Sequence, residues 1–234
     1  MLERPAFFIS CEHGGNRVPA EYRHLFAGAK LELESHRGYD IGILPLAHAC
    51  ARKLNAPALI SETSRLLVDL NRSEGHPRLF SEWTRGLPEH EQEQILARYY
   101  HPYRQQVRQK LGKLIASEGL VVHLSLHSFA PVLGGQVRPV DVGLLYDPAR
   151  PGETELCDRW SKQLRTALPA LRIRRNSPYR GISDGLVTLL RHEFPPHQYQ
   201  GIEVEVNQSL PLGGGTPWQQ LLRELPETLN ELGE

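Results

Sequence analysis

Cysteine is scarce in this chain of 234 residues, which carries only Cys11, Cys50 and Cys157. Three cysteines at such wide spacing exclude a disulfide framework and a zinc knuckle built on cysteine ligands. A sparse and odd number of cysteines is typical of proteins from a reducing compartment. We therefore expect a cytoplasmic protein.

A surplus of one charge and a long apolar run are also lacking. Lys plus Arg and Asp plus Glu number 27 each, whereas nucleic-acid binding needs a clustered positive surplus. No stretch approaches the roughly 20 apolar residues that cross a bilayer, and the first residues lack the apolar segment of a secretory signal. We therefore expect no nucleic-acid partner and no membrane partner, while a local basic pocket for a small anion stays open.

Apolar runs alternate along the chain with stretches of helical periodicity. The predicted strands cover residues 6–11, 58–61, 65–70, 120–126, 142–146, 171–174 and 201–206. The predicted helices cover residues 40–54, 88–117 with a bend at Pro102, 153–168, 185–194 and 217–232. Strands separated by helices predict one α/β domain, residues 1–234, whose mostly parallel or mixed sheet is covered by helices on both faces.

Two histidines fall at the ends of predicted strands, where open α/β sheets bind their ligands. His13 follows the first strand and precedes two glycines, which is typical of a tight turn that a ligand can approach closely. His127 ends the run after residue 120, and strand alternation places it on one face with His123 and Ser125. The alternative for His13 is a histidine that caps a turn. We expect His123 to lie deeper, in the core or in support of a functional residue.

Asp40 and the pair Asn71-Arg72 supply further polar groups at the ends of predicted elements. Asp40 precedes the first predicted helix, where an ordinary helix N-cap is the alternative to a functional role. Asn71 and Arg72 suit a substrate carboxylate, because a guanidinium binds it bidentately and an amide adds a donor. A surface loop with an ordinary salt bridge is the alternative for this pair.

The predicted strand 201–206 carries two carboxylates on one face, Glu203 and Glu205. Carboxylates in an otherwise apolar strand are costly unless they are paired or functional. One of them can act as a general base beside a metal ion, and an ion pair with a buried arginine is the alternative. Tyr179 and Arg180 add a phenol and a guanidinium in a loop between a strand and a helix.

Several short motifs, in their order and spacing, resemble the N-formylglutamate amidohydrolase family, a distant branch of the zinc carboxypeptidase and aspartoacylase group. They cover most of the chain and are Ser10-Cys11-Glu12-His13-Gly14-Gly15-Asn16-Arg17-Val18-Pro19, Tyr39-Asp40-Ile41-Gly42, Ser64-Arg65-Leu66, Asp69-Leu70-Asn71-Arg72, Leu126-His127-Ser128-Phe129, Pro178-Tyr179 and Glu203-Val204-Glu205-Val206-Asn207-Gln208-Ser209-Leu210. The resemblance implies a three-layer αβα sandwich with a mixed central sheet, of the phosphorylase/hydrolase type seen in zinc carboxypeptidases. It also implies a zinc-dependent amidohydrolase of amino-acid catabolism that converts N-formyl-L-glutamate and water to formate and L-glutamate.

The resemblance further implies roles for individual residues. His13 and His127 match the two histidine ligands of zinc, and Glu205 matches the glutamate that takes a proton from the attacking water. Asn71 and Arg72 match the pair that binds the substrate carboxylate. Other residues expected at the substrate are Ser128, Tyr179 and, for the side-chain carboxylate or the developing oxyanion, Arg180.

Two positions depart from the pattern of the family. The wider group has a glutamate three residues after the first histidine ligand, where this chain has Asn16, a poor zinc ligand. We therefore expect Asp40 to complete the zinc site and Asn16 to orient a ligand at most. The characterised formylglutamate hydrolases have an aspartate where this chain has Ser125, so the substrate is less well defined than the reaction.

Two other functions stay open from the sequence. The same chemistry can act on another N-acyl amino acid, on a formamide-type compound or on the carboxyl end of a peptide. A scaffold with Asn16 in place of a ligand can also be a non-catalytic binder of small anions, although such a binder would not need Glu205.

Overall fold

A six-stranded mixed sheet forms the centre of residues 5–232, the part of the chain that the computed structural model describes. The strands are β1 (Ala6–Cys11), β2 (Ala58–Ile60), β3 (Val121–Phe129), β4 (Val132–Leu133), β5 (Gln136–Val137), β6 (Val142–Leu145), β7 (Ile173–Arg175) and β8 (Tyr199–Asn207). The sheet has the order β2-β1-β3-β8-β6-β7, and β4 pairs with β5 in a separate hairpin. Strands β2, β1, β3 and β8 run parallel, whereas β6 and β7 run the other way.

Helices cover both faces of this sheet. They are α1 (Lys30–Leu33), α2 (Ile43–Lys53), α3 (Glu89–Ile95), α4 (His101–Glu118), α5 (Pro151–Ala167), α6 (Leu186–Glu193), α7 (Ser209–Gly213) and α8 (Gly215–Leu232). Helices α2, α5 and α8 pack together on one face, while α4 and α6 pack on the other. The fold is therefore the predicted three-layer αβα sandwich. Within the described residues, no helix is both long enough and apolar enough to cross a membrane.

Alternation along the central strands separates apolar from polar side chains. One face joins the apolar cluster beneath α2, α5 and α8, with contributions such as Ile9 of β1, Leu124 of β3 and Val204 of β8. The other face carries His123 in the first half of β3 and, from the middle of the strands to just beyond their carboxyl ends, the polar residues Ser10, Glu12, Ser125, His127, Glu203 and Glu205. Because β1, β3 and β8 are parallel neighbours, these polar groups meet at one edge of the sheet.

The prediction of a strand over residues 65–70 is wrong. These residues form turns, and their apolar side chains Leu66, Leu67, Val68 and Leu70 are buried in the second apolar cluster. Burial of a loop produces the same short apolar run as a buried strand, so periodicity alone cannot separate the two. The helical region predicted over residues 88–117 is interrupted by a π-helical turn at Leu96–Tyr100, and Pro102 lies in the first turn of α4, where proline is tolerated.

Candidate metal centre and its surroundings

Three side chains from distant parts of the chain meet near the carboxyl end of β3. His13 follows β1, Asp40 lies in the turn before α2, and His127 lies near the end of β3. Each is at most 3% exposed, and one potential ligand atom of each lies within 4.8 Å of the other two. Two imidazoles and a carboxylate thus come within reach of a single ion.

The loop that carries His13 is pressed against the segment after β2. Gly14 N donates a hydrogen bond to Ser61 O at 2.8 Å. A Cβ atom on Gly14 would lie 2.9 Å from Ile60, and one on Gly15 would lie 2.7 Å from Glu62 O. The two glycines are required by this close approach, which fixes the position of His13.

His13 is held through one ring nitrogen and leaves the other without a partner. Its Nε2 lies 2.8 Å from Oδ1 of Asp69. Its Nδ1 is buried, has no hydrogen-bond partner within residues 5–232, and lies 3.6 Å from Oδ2 of Asp40. A buried polar atom without a partner is costly and suggests a missing ligand.

His127 lies between two carboxylates. Its Nδ1 is 2.9 Å from Oδ2 of Asp40, and its Nε2 is 3.1 Å from Oε2 of Glu12. Burial lowers the pKa of His127, but the hydrogen bonds and negative charges of Asp40 and Glu12 outweigh burial and hold this pKa well above its ordinary value. The two carboxylates thus favour the protonated form of this ring when no metal ion is bound.

Glu12 is completely buried and fully hydrogen-bonded. Ser125 Oγ donates to its Oε2 at 2.8 Å, and Tyr103 OH donates to its Oε1 at 3.0 Å. Burial raises the pKa of Glu12, but His127 and the hydroxyl donors lower it more, so the pKa lies well below its usual range. Glu12 is therefore a fixed negative charge behind His127.

Asp40 is oriented by groups on three sides. Arg65 Nη1 donates to its Oδ1 at 3.2 Å, and the backbone N–H of Ser128 donates to its Oδ2 at 3.2 Å. The helix N-cap expected as the alternative for Asp40 is not observed, because Gly42, with φ of 82°, occupies the N-cap position of α2. Burial raises the pKa of Asp40, but the neighbouring His13, the hydrogen bond with His127 and the charge of Arg65 lower it below its usual range.

The chemistry of this donor set fits a divalent metal ion. Zinc binds imidazole nitrogens and carboxylate oxygens, and a histidine ligand usually gives its other ring nitrogen to a carboxylate. Both histidines have such a carboxylate, Asp69 for His13 and Glu12 for His127. Asn16 lies elsewhere, since its amide donates to Leu33 O at 3.0 Å.

The Asn71-Arg72 turn lies next to the donor set, but the side chain of Asn71 points inward. Asn71 Nδ2 lies 3.3 Å from Nε2 of His127, and its Oδ1 accepts a hydrogen bond from Leu186 N at 2.8 Å. Arg72 is half-buried and donates from Nη1 to Asp184 O at 3.1 Å. Arg72 is thus the member of the pair that lines an open pocket.

Glu205 faces the donor set from the neighbouring strand, where it pairs in register with His127. It is 8% exposed, and its Oε2 has no hydrogen-bond partner within the described chain. Burial and the charges of Asp40 and Glu203 raise the pKa of Glu205 to about 8, against the opposing effect of His127 and Arg65. No ion pair of Glu205 with an arginine is observed within residues 5–232, so the alternative reading of this carboxylate is not supported.

The other residues predicted to contact the substrate are Ser128, Tyr179 and Arg180, and each has a different environment. Ser128 Oγ donates to Ile41 O at 2.9 Å and accepts from Gln208 at 3.0 Å, so its hydroxyl is used inside the protein. The Tyr179 hydroxyl accepts a hydrogen bond from Arg138 at 2.7 Å. Arg180 is exposed, and no contact joins it to the donor set in the described chain.

Three residues that sequence reasoning did not assign to the site are central to its geometry: Glu12, Arg65 and Asp69. Arg65 bridges Asp40 and Asp69, with Nη2 2.7 Å from Oδ2 of Asp69. The available signal is their position inside the matching motifs: Glu12 is next to His13, Asp69 is two residues before Asn71, and Arg65 lies in the motif Ser64-Arg65-Leu66. A carboxylate in a loop carries no periodic pattern that would separate it from a surface charge.

The fold and the donor set define a class: an α/β sandwich protein whose buried His-Asp-His group, at the edge of the sheet, could hold a metal ion. The model of the family described as N-formylglutamate amidohydrolase matches residues 6–212, and the chain belongs to this family. Membership supports an amidohydrolase that acts on an N-acyl amino acid.

Solved structures show the same fold. The chain is similar to a gene product of Agrobacterium tumefaciens, with 26% identity and a TM-score of 0.80 over 99% of this chain and 93% of that chain. It is also similar to an N-formylglutamate amidohydrolase from Ralstonia eutropha JMP134, with 18% identity and a TM-score of 0.69 over 99% of this chain and 93% of that chain. A comparison with curated proteins found no match.

Proposed function

We propose that this chain is a metal-dependent amidohydrolase that cleaves the N-acyl amide bond of a small acidic amino acid, with N-formyl-L-glutamate as the leading substrate. The observation that carries the proposal is the buried meeting of His13, Asp40 and His127 next to Glu205. Family membership supports amide hydrolysis, and the donor set supports the metal ion.

In this proposal His13, Asp40 and His127 hold one divalent ion, for which zinc is the leading candidate. Such an ion supplies polarisation of the acyl carbonyl and a lower pKa for the attacking water. Asp69 and Glu12 each accept from the outer nitrogen of a histidine, which orients the ring and leaves the inner nitrogen for coordination.

Glu205 is the general base. Its unpartnered Oε2 can take a proton from the attacking water and later give this proton to the nitrogen of the leaving amine. Its pKa, raised to about 8 by burial and by Asp40 and Glu203, makes the ionised carboxylate a stronger base, and the positive charge of an ion held beside it would favour this ionised form.

Arg72 binds the α-carboxylate of the substrate, because its half-buried guanidinium lines the pocket beside the donor set. Asn71 stabilises this turn, because its Oδ1 accepts from Leu186 N, and its Nδ2 is a donor for the substrate. We assign Ser128 to the support of Asp40, and Tyr179 and Arg180 stay predicted contacts of the substrate.

The test is the release of formate from N-formylglutamate by the purified protein, before and after removal of metal ions with a chelator. Activity that is lost on chelation and restored by zinc supports the proposal, and full activity after exhaustive chelation contradicts it. The variant Glu205→Gln should lose about 10²- to 10⁴-fold in kcat while keeping its bound metal. Glu203→Gln is the matched control, because this carboxylate shares the same strand face but is not assigned to proton transfer.

A substrate panel decides which acyl group and which amino acid the site accepts. N-formylglutamate should be turned over faster than N-acetylglutamate and faster than N-formylleucine. Faster release of acetate than of formate would assign the chain to another N-acyl amino acid. Turnover of none of these compounds by the zinc-loaded protein would contradict the catalytic proposal.

A further inference from the structure

A pocket of about 250 Å³ adjoins the donor set and is lined mainly by cationic side chains. The charged and imidazole groups in its walls are His36, Arg37, Arg65, Arg72, Arg78 and Asp69. Two of these wall residues touch the donor set, since Asp69 contacts His13 and Arg65 contacts Asp40. The pocket thus places four guanidinium groups and one carboxylate around a space that is joined to the proposed metal ligands through Asp69 and Arg65.

Hydrogen bonds to backbone carbonyls next to Arg37 and Arg78 join these two arginines to residues 64–69, the segment that contacts the donor set. Gly38, next to Arg37, accepts hydrogen bonds from Arg65 N at 3.1 Å and from Ser64 Oγ at 2.9 Å. Leu79, next to Arg78, is buried and accepts a hydrogen bond from Asp69 N at 2.8 Å. The positions of Arg37 and Arg78 relative to the site are therefore set by the fold.

Three of the four guanidinium groups already have an acidic partner. The pairs are Arg65 with Asp40 and Asp69, Arg37 with Glu82, and Arg72 with Asp184 at 3.9 Å. Arg78 has no ionic partner among residues 5–232, and its side chain is exposed at the pocket wall. An arginine placed this way can bind a carboxylate bidentately.

We propose that this pocket binds the second carboxylate of a dicarboxylic N-acyl amino acid and that Arg78 is the residue that selects it. The inference rests on the proposed function, because Arg72 lines the same pocket and is assigned there to the α-carboxylate. If Arg72 binds the α-carboxylate, the side-chain carboxylate of the same substrate, a few bonds away, lies among Arg37, Arg65 and Arg78. Arg180, which the sequence suggested for this role, is not part of the pocket wall.

The test compares N-formylglutamate with N-formylglutamine, which has nearly the same shape but no charge on the side chain. In Arg78→Gln, kcat/KM for N-formylglutamate should fall about 10- to 100-fold, mainly through a higher KM, as expected for the loss of a hydrogen bond to a charged group. The value for N-formylglutamine should change by less than about twofold. Arg52→Gln, an exposed arginine in the last turn of α2, is the matched control and should change neither value.

An equal loss for both substrates, or no loss for either, would overturn the inference while leaving the proposed function intact. If the wild-type protein hydrolyses neither substrate, the proposed function fails and direct binding decides the inference separately. Calorimetric titration with glutarate and with its monoamide should then show about tenfold tighter binding of glutarate, and Arg78→Gln should remove this difference. Equal affinity of the wild-type protein for the two compounds would exclude a subsite for the second carboxylate.

Discussion

Glu12, in the turn just after β1, and His127, in the neighbouring parallel strand β3, form a buried pair with 3.1 Å between Oε2 and Nε2. Ser125 lies between them, because its Oγ donates to Glu12 at 2.8 Å and is 3.0 Å from His127 Nε2. The carboxylate that orients the second histidine is thus supplied by β1 rather than by β3.

The first prediction concerns this pair. Glu12→Gln should weaken zinc binding about 10- to 100-fold, since a partner of the outer nitrogen of a histidine ligand sets its orientation and basicity. Competition with a chromogenic chelator measures the affinity, and circular dichroism checks that the variant is folded. Glu62→Gln, at an exposed glutamate, is the control. Unchanged affinity in Glu12→Gln would show that Glu12 is not needed to orient His127.

The second prediction concerns protons that leave when the metal binds. Asp40 and Glu12 raise the pKa of His127 well above its ordinary value without metal, which favours a protonated ring whose Nδ1 proton an ion must displace. We expect about one proton to be released per zinc ion, and the affinity to fall as the pH is lowered from 7 to 5. Calorimetry in buffers of different ionisation enthalpy measures this number. Zinc binding without proton release would contradict the assignment of His127 Nδ1 as a ligand.

The third prediction concerns the stability of the fold below neutral pH. Burial lowers the pKa of His123 to about 4, and its ring nitrogens lie 2.8 Å from the hydroxyls of Ser10 and Tyr199. In the unfolded chain the pKa is near 6.5, so between pH 6.5 and 4 the unfolded state binds more protons. The free energy of unfolding should therefore decrease as the pH falls through this window, by up to about 3 kcal/mol.

Urea unfolding at a series of pH values measures this effect in the wild-type protein and in His123→Gln. The variant cannot gain a proton at this position and should lack this part of the pH dependence, whatever its stability at pH 7. The same slope in both proteins would mean that His123 is not buried as a neutral ring.

The fourth prediction concerns Arg104, which is buried beneath the turn that carries Asn71 and Arg72. Its Nη1 donates to Leu70 O at 3.2 Å and to Arg72 O at 2.6 Å, and its guanidinium lies 5.0 Å from the ring centre of Tyr100. The π-helical turn Leu96–Tyr100 also brings the Tyr100 hydroxyl to Arg72 O at 2.8 Å. Both side chains hold the backbone of the proposed carboxylate-binding turn.

Arg104→Met should therefore raise KM for N-formylglutamate by about tenfold or more, with zinc affinity within about twofold of the wild type. Tyr100→Phe removes a single donor to the same carbonyl and should have a smaller effect. Arg104→Lys keeps a donor and should restore part of the loss. A fall in zinc affinity that parallels the rise in KM would mean that Arg104 supports the whole site rather than this turn.

The strands that build the site could be predicted from the sequence. The first strand was expected at residues 6–11 and is observed at Ala6–Cys11. Alternation along the run predicted over residues 120–126, with His127 at its end, correctly places His123, Ser125 and His127 on one face of β3, as the hydrogen bonds of His123 to Ser10 and of Ser125 to His127 show. The rule that parallel strands bring their carboxyl ends to one edge then predicted that the polar residues meet.

The partners of the two histidines could not be predicted in the same way. His13 and Asp69 are 56 residues apart in sequence, and His127 and Glu12 are 115 apart. Such pairs depend on how loops fold back on the sheet, and loop carboxylates show no periodicity. The turns at residues 65–70 were mistaken for a strand for a related reason, because their side chains are buried by α4 and its neighbours rather than by strand pairing.

The most direct test of the central claim is an anomalous difference map at the zinc absorption edge, from crystals of the zinc-loaded protein. We expect one strong peak bonded to His13, Asp40 and His127, at roughly 2.0–2.2 Å from their nitrogen and oxygen atoms. A map without a peak between these three side chains, or with the ion held by other residues, would contradict the account.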